Sequence, residues 1–165
     1  MINYQKDEEL MFKRNWDVII VGGGIAGLTS TALLSKLGLK VLCIEPMKPP
    51  EEELDDHADL RSTAYLLKSV DLLKTADVWK KLEKHAEPLK VMRICNASEP
   101  GSSSFQESSF DSQEIGEDYF GYNISNWQTK KSLLSIIDTE SSSKIIFGTK
   151  VINILPQTSK IMIKL

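Results

Sequence analysis

The first ordered block of apolar and polar positions along this chain is also the most regular. Val18-Ile19-Ile20-Val21 is a wholly apolar, β-branched run, of the kind that forms a strand buried on both faces of a parallel sheet. After Gly22-Gly23-Gly24-Ile25-Ala26-Gly27, the residues Leu28, Ala32, Leu33 and Leu37, with Leu34 beside them, recur at helical spacing. They predict a helix packed on that sheet, with Gly38 as its C-terminal cap. Lys40-Val41-Leu42-Cys43-Ile44-Glu45 predicts a second strand. Strand, helix and strand together make a βαβ unit.

The pattern beyond Glu45 is less regular. Residues 46–56 hold three prolines and a cluster of acids and predict an exposed loop. Ala64, Leu67, Val70 and Leu73 fall at helical spacing and predict a helix from near Ser62, capped by Asp59 or Ser62. Val78, Trp79 and Leu82 predict a short helical face with Trp79 as a core anchor, ended by His85-Ala86-Glu87-Pro88. Residues 90–97 alternate as a strand, Val91, Arg93 and Cys95 on one face and Met92, Ile94 and Asn96 on the other, in a sheet different from the first. Residues 98–112 are dominated by serine and predict a hairpin or mobile loop, with no base at a spacing useful for nucleophilic catalysis. Order returns at residues 110–124, and Ser125 or Asn126 caps a helix running through Leu133, Leu134, Ile136 and Ile137. Ile145-Ile146-Phe147 predicts a buried strand, and residues 150–155 with 161–165 predict a hairpin across Pro156-Gln157-Thr158-Ser159.

Composition narrows the function. With 165 residues, 41% hydrophobic and 26% charged, the chain has the mass for a globular core. A net charge of −3 lacks the basic surface that nucleic acid requires. Cys43 and Cys95 are isolated and expected to be buried, which points to a reducing, cytoplasmic compartment, and neither they nor His57 and His85 form a metal-ligand pattern. No apolar run is long enough to span a bilayer. Residues 1–15, with Lys6, Asp7, Glu8 and Glu9, fit neither a secretory signal nor a presequence and are expected to be a disordered tail, with Met1 and Met11 both open as the start.

The glycines carry the chemistry. Gly22, Gly24 and Gly27 stand at the spacing G-x-G-x-x-G between strand and helix, the first for a tight turn, the second for close approach of a pyrophosphate, the third for helix–strand contact. The helix then aims its free N–H groups and positive dipole end at the phosphates. Glu45, 18 residues beyond Gly27, can accept hydrogen bonds from the ribose hydroxyls of an adenosine. Arg61 is either a bidentate donor to a cofactor phosphate or a solvated arginine paired with Asp59 or a nearby glutamate.

Residues 17–45, then Asp59-x-Arg61-x-x-Ala64, then Phe110-Asp111-Ser112-Gln113-Glu114-Ile115-Gly116, then Phe120-Gly121-Tyr122-Asn123-Ile124-x-Asn126 together resemble one family. It is the N-terminal half of the FAD-dependent aromatic hydroxylases of ubiquinone biosynthesis, relatives of p-hydroxybenzoate hydroxylase. The resemblance implies an α/β fold: a Rossmann-like βαβ FAD-binding domain with part of an interleaved β-rich substrate domain, truncated. It divides the chain into the FAD-binding unit and following helices at 16–86, partial substrate-domain strands at 87–124, and a return to the FAD-binding domain at 125–165.

By the same resemblance, Gly22, Gly24, Ala26 and Gly27 hold the FAD pyrophosphate, Glu45 the ribose, and Arg61 approaches the cofactor, while Asn126 stands where relatives often have an arginine near the flavin. In the family NAD(P)H reduces the flavin, and the reduced flavin activates oxygen to hydroxylate a polyprenylated phenol. No residue here is assigned acid–base catalysis. Two departures stand out: Thr31, where Ala or Gly usually faces the sheet, and length, since the family continues for roughly as many residues again. The resemblance therefore implies an inactive chain on its own, a complementing C-terminal half as partner, and membrane contact that is at most peripheral to the inner membrane. The rival expectations are a truncated non-enzymatic remnant or one half of a split enzyme, and, disfavoured because strands and helices do not alternate regularly after Glu45, an NAD-dependent dehydrogenase.

Overall fold

A computed structural model of the chain describes residues 15–97 and 105–165. Along it run β1 (Val18–Val21), α1 (Ile25–Lys36), β2 (Val41–Glu45), β3 (Ser62–Leu66), α2 (Leu67–Thr75), α3 (Trp79–Leu82), β4 (Glu87–Leu89), β5 (Val91–Ala97) and β6 (Phe105–Asp111). Then follow β7 (Gly121–Ser125), α4 (Asn126–Ile137), β8 (Ser143–Phe147), β9 (Asn153–Pro156) and β10 (Ile161–Lys164). The chain forms two compact units, one of residues up to Pro49 with Leu133–Leu165, the other Pro50–Ser132. The expected tail and the choice between Met1 and Met11 lie outside the described residues, as does the serine-rich stretch 98–104.

The first unit is built on a parallel sheet of order β1-β2-β8, in register from Val18↔Val41 to Val21↔Ile44 and from Val41↔Ser143 to Glu45↔Phe147. The burial expected of β1 belongs to β2, whose Val41, Leu42, Cys43 and Ile44 are almost fully covered, whereas β1 is half-buried and Val21 is 52% exposed. The reason is position, since β2 has a strand on each side and β1 has one.

Of the expected α1 stripe of Leu28, Ala32, Leu33 and Leu37, the first two are buried, Leu33 is half-buried and Leu37 is not covered. Leu28, Thr31, Ala32 and Ser35 are buried, and Leu37 is 77% exposed. Close approach of helix to strand favours small side chains on the facing side. Their hydroxyls are satisfied within the helix, Thr31 donating to the Gly27 carbonyl and Ser35 to the Thr31 carbonyl, both at 2.8 Å. Thr31 is thus accommodated without an orphaned polar group. Gly38 closes the helix as expected, at φ +83° with its N–H on the Ser35 carbonyl. The expected C-terminal hairpin forms as antiparallel β9–β10, and Ile163 and Leu165 pack on Leu42, Ile44 and Ile146.

The second unit holds an antiparallel sheet of order β3-β7-β4 and a separate ribbon β5-β6. Residues 62–66 form a strand, where the spacing of Ala64, Leu67, Val70 and Leu73 predicted a helix, and α2 begins only at Leu67. Thr63 and Tyr65 are strand-formers, and pairing with β7 from Ser62↔Ser125 to Leu66↔Gly121 buries Tyr65. Trp79 is the core anchor expected of it, between buried Val78 and Leu82 and edge-on to Tyr122 at 5.2 Å between ring centroids. Residues 91–96 and 107–111 of the β5–β6 ribbon are exposed on both faces, so Cys95 is exposed, against expectation, while Cys43 is buried.

Neither Ser125 nor Asn126 caps α4 with its side chain. The Ser125 hydroxyl has no partner, and the first helical N–H groups are taken by backbone, Asn126 N–H by the Arg61 carbonyl at 2.8 Å and Trp127 N–H by the Asp59 carbonyl at 3.1 Å. The strands that follow β2 are antiparallel up to β7, which departs from the regular parallel alternation of a dehydrogenase domain. Among the described residues no helix is long and apolar enough to cross a membrane, and no group of three His, Cys, Asp or Glu is placed to hold a metal ion.

Candidate functional site

Where β1 ends, Gly22 turns the chain at φ +106°, a conformation that a side chain would strain, and its N–H is held by the Ile44 carbonyl at 2.8 Å. Gly24 then opens α1 as its N-cap, with no side-chain cap and no acidic residue in the first turn. The N–H groups and positive dipole end of a 12-residue helix are left for an external anion. A Cβ built on Gly24 meets nothing within 4 Å, and Gly24 and Ala26 are exposed, so space lies open over the loop. A Cβ on Gly27 would lie 1.9 Å from the Gly22 carbonyl oxygen, which is the close contact the fingerprint requires.

Gly23 is a position beside Glu45 that the spacing rule passes over. Its N–H donates to Glu45 Oε2 at 2.5 Å, and a Cβ there would lie 2.8 Å from Glu45 Cβ. The run of three glycines was the signal for it. The other Glu45 oxygen accepts the Met47 N–H at 3.0 Å, so the carboxylate at the end of β2 stands fixed beside the loop with lone pairs left for hydroxyl donors. Backbone donors, an uncapped helix start, open space and a fixed carboxylate fit a diphosphate joined to a ribose.

The second unit gathers Arg61 and Asn126. The Arg61 guanidinium forks on Asp59, Nε to Oδ1 at 2.8 Å and Nη2 to Oδ2 at 3.0 Å, and its side chain is 82% exposed. The pairing that sequence left open is present, and Nη1 takes no part in it. Asn126 is 8% exposed, with Nδ2 on Asp59 Oδ2 at 3.1 Å and Oδ1 accepting the Thr63 hydroxyl at 2.6 Å. Lys130 Nζ lies 3.5 Å from Asp59. These donors, the Arg61 bond foremost and the Asn126 bond next, hold the Asp59 carboxyl far below its ordinary range against the opposing effect of burial. The Arg61 guanidinium is shifted up in turn by Asp59. The sequence-predicted residues thus fall into two constellations, Gly22, Gly24, Ala26, Gly27 and Glu45 in one unit, Arg61 and Asn126 in the other.

The profile of one protein family, described as "FAD binding domain", matches residues 15–161. The chain belongs to this family, that of the FAD-dependent aromatic hydroxylases. Ubiquinone hydroxylase UbiL of Rhodospirillum rubrum is 33% identical over 84 residues, which are 51% of this FAD-binding chain and 19% of that protein. The FAD-dependent monooxygenase ptmM of Penicillium ochrochloron is 29% identical over 146 residues, 87% of this chain and 32% of that one. Among solved structures, p-nitrophenol 4-monooxygenase PnpA from Pseudomonas putida shares the fold with a TM-score of 0.67 at 17% identity, over 88% of this chain and 35% of that chain. The FAD-binding chain therefore spans between 19% and 32% of the length of these two curated relatives.

Proposed function

We propose that this chain is the FAD-binding part of a flavoprotein monooxygenase that hydroxylates a polyprenylated phenol in ubiquinone biosynthesis, with NAD(P)H as the reductant. The observation that carries the cofactor reading is the glycine loop itself, open above Gly24 and bordered by the Glu45 carboxylate. The likeness to UbiL supports the substrate class. Bound FAD supplies the redox and oxygen chemistry. The residues of this chain bind and orient it: the N–H groups around Gly24 and Ala26 take the pyrophosphate, Glu45 the ribose hydroxyls, and Arg61 an anionic group.

The share of its relatives that the chain covers favours a complementing polypeptide segment for the rest of the site, as in a longer or split enzyme. The substrate reading is tested by deleting the coding gene and extracting the quinones. Loss of ubiquinone, with accumulation of a prenylated phenol one ring oxygen short, is the expected result. Unchanged ubiquinone with no such intermediate would remove the substrate assignment and leave the FAD assignment standing.

A further inference from the structure

Arg61 is held by an arrangement that runs from the protein interior to its surface. Asn126 and Thr63 lie at the inner end, Asp59 is partly covered with its side chain 19% exposed, and the Arg61 side chain projects with 82% exposure. A carboxylate only accepts hydrogen bonds, so the Asn126 amide nitrogen must face Asp59 and its oxygen must face the Thr63 hydroxyl. Both ends of the amide are thereby fixed. The backbone clamps the same segment, since the N–H groups of Asn126 and Trp127 hold the Arg61 and Asp59 carbonyls and the Trp127 indole N–H holds the Pro50 carbonyl at 3.0 Å.

We propose that Asn126 and Thr63 are positioning residues, which fix the Arg61 guanidinium through Asp59 for an anionic group of the bound cofactor. This rests on the reading of Arg61 as a cofactor contact. An exposed arginine loses rotamer freedom when it binds a ligand, and one already forked on a fixed carboxylate has lost it beforehand. Asp59 does this only if its own carboxylate is held, and the Asn126 amide holds the oxygen that Nη2 also uses. The pairing does not cancel the attraction for an anion. One carboxylate, Asp59, faces two cations, Arg61 and Lys130, and the cluster keeps one positive charge.

The relay makes Asn126 act on the cofactor only through Arg61, which a double-mutant cycle on the full chain reads directly. Dissociation constants for FAD are measured by flavin fluorescence. Arg61→Gln and Asn126→Ala are each expected to weaken binding about tenfold, and the double variant to match Arg61→Gln within about twofold. Thr63→Val, which keeps the side-chain shape, is expected to weaken binding about threefold and to do nothing further in the Arg61→Gln background, and it serves if Asn126→Ala does not fold. Additive losses overturn the relay. Unchanged affinity in Arg61→Gln overturns the cofactor role of Arg61 and the relay with it, whereas a loss in Arg61→Gln with none in Asn126→Ala or Thr63→Val overturns the relay alone.

A merely structural Asn126 is separated by Asn126→Asp. The introduced carboxyl would face Asp59, with Arg61 and Lys130 the charged groups against the pair, and one shared proton would restore the donor. The affinity of that variant for FAD is expected to rise as pH falls from about 7 to 5, where the native chain is flat. A flat profile in the variant overturns the proposal.

Discussion

Gly27→Ala is expected to destabilise the protein by roughly 3 kcal/mol or more and to abolish FAD binding. In a free helix the same exchange gains about 1 kcal/mol from propensity. Here the added methyl would lie 1.9 Å from the Gly22 carbonyl oxygen, 3.1 Å from its carbon and 3.4 Å from Ile20 Cγ2. The obstacle is backbone, so no side chain can turn aside, and α1 must lift from β1. Sterics therefore overrides propensity. Because the displaced group is the first glycine of the loop, the anion site deforms together with the packing. Urea denaturation and flavin titration of the variant check the expectation, and native stability with native affinity would show that helix and strand are not in this contact.

Gly121→Ala is expected to cost a similar amount, roughly 3 kcal/mol, in the second unit. Gly121 opens β7, the central strand of its sheet, opposite Leu66 on one side and Leu89 on the other. A Cβ there would lie 1.9 Å from the Tyr65 carbonyl oxygen and 2.7 Å from Leu66 Cα. Accommodating it separates β3 from β7, so hydrogen exchange of the amides in Ser62–Leu66 should accelerate along with the loss of global stability. Unaltered exchange in those amides would contradict the close strand contact.

The βαβ unit was legible because every signal for it is local. An apolar run, a glycine loop, a helical stretch and a second apolar run follow each other within residues 17–45. What failed depends on partners remote in sequence. Residues 62–66 carry a helical spacing, and only β7, about sixty positions later, makes them a strand. Cys95 lies on an apolar alternating strand, yet its partner strand covers one edge and neither face.

Within the site, the turn at Gly22, the open helix start at Gly24 and the close contact at Gly27 could be read from glycine spacing, and the place of Glu45 at the end of β2 from the second apolar run. Gly23 escaped that rule because its constraint comes from Glu45 across the sheet end, 22 positions away. The Asp59–Asn126 contact joins residues 67 apart, and no spacing rule reaches it. Sequence therefore offered Asp59 as a partner for Arg61, but not the Asn126 that holds Asp59.

The most direct test of the account is whether the glycine loop takes up FAD. The purified protein is mixed with FAD, passed through gel filtration and examined by visible absorption beside Gly24→Val. Gly24 has φ −68° and ψ 179°, an extended conformation that valine adopts, and its Cβ site is empty, so the variant is expected to fold with native stability while its side chain fills the space above the loop. Flavin bands that co-elute with the native chain and are absent from the folded variant are the predicted result. A native chain that elutes folded and free of flavin would contradict it.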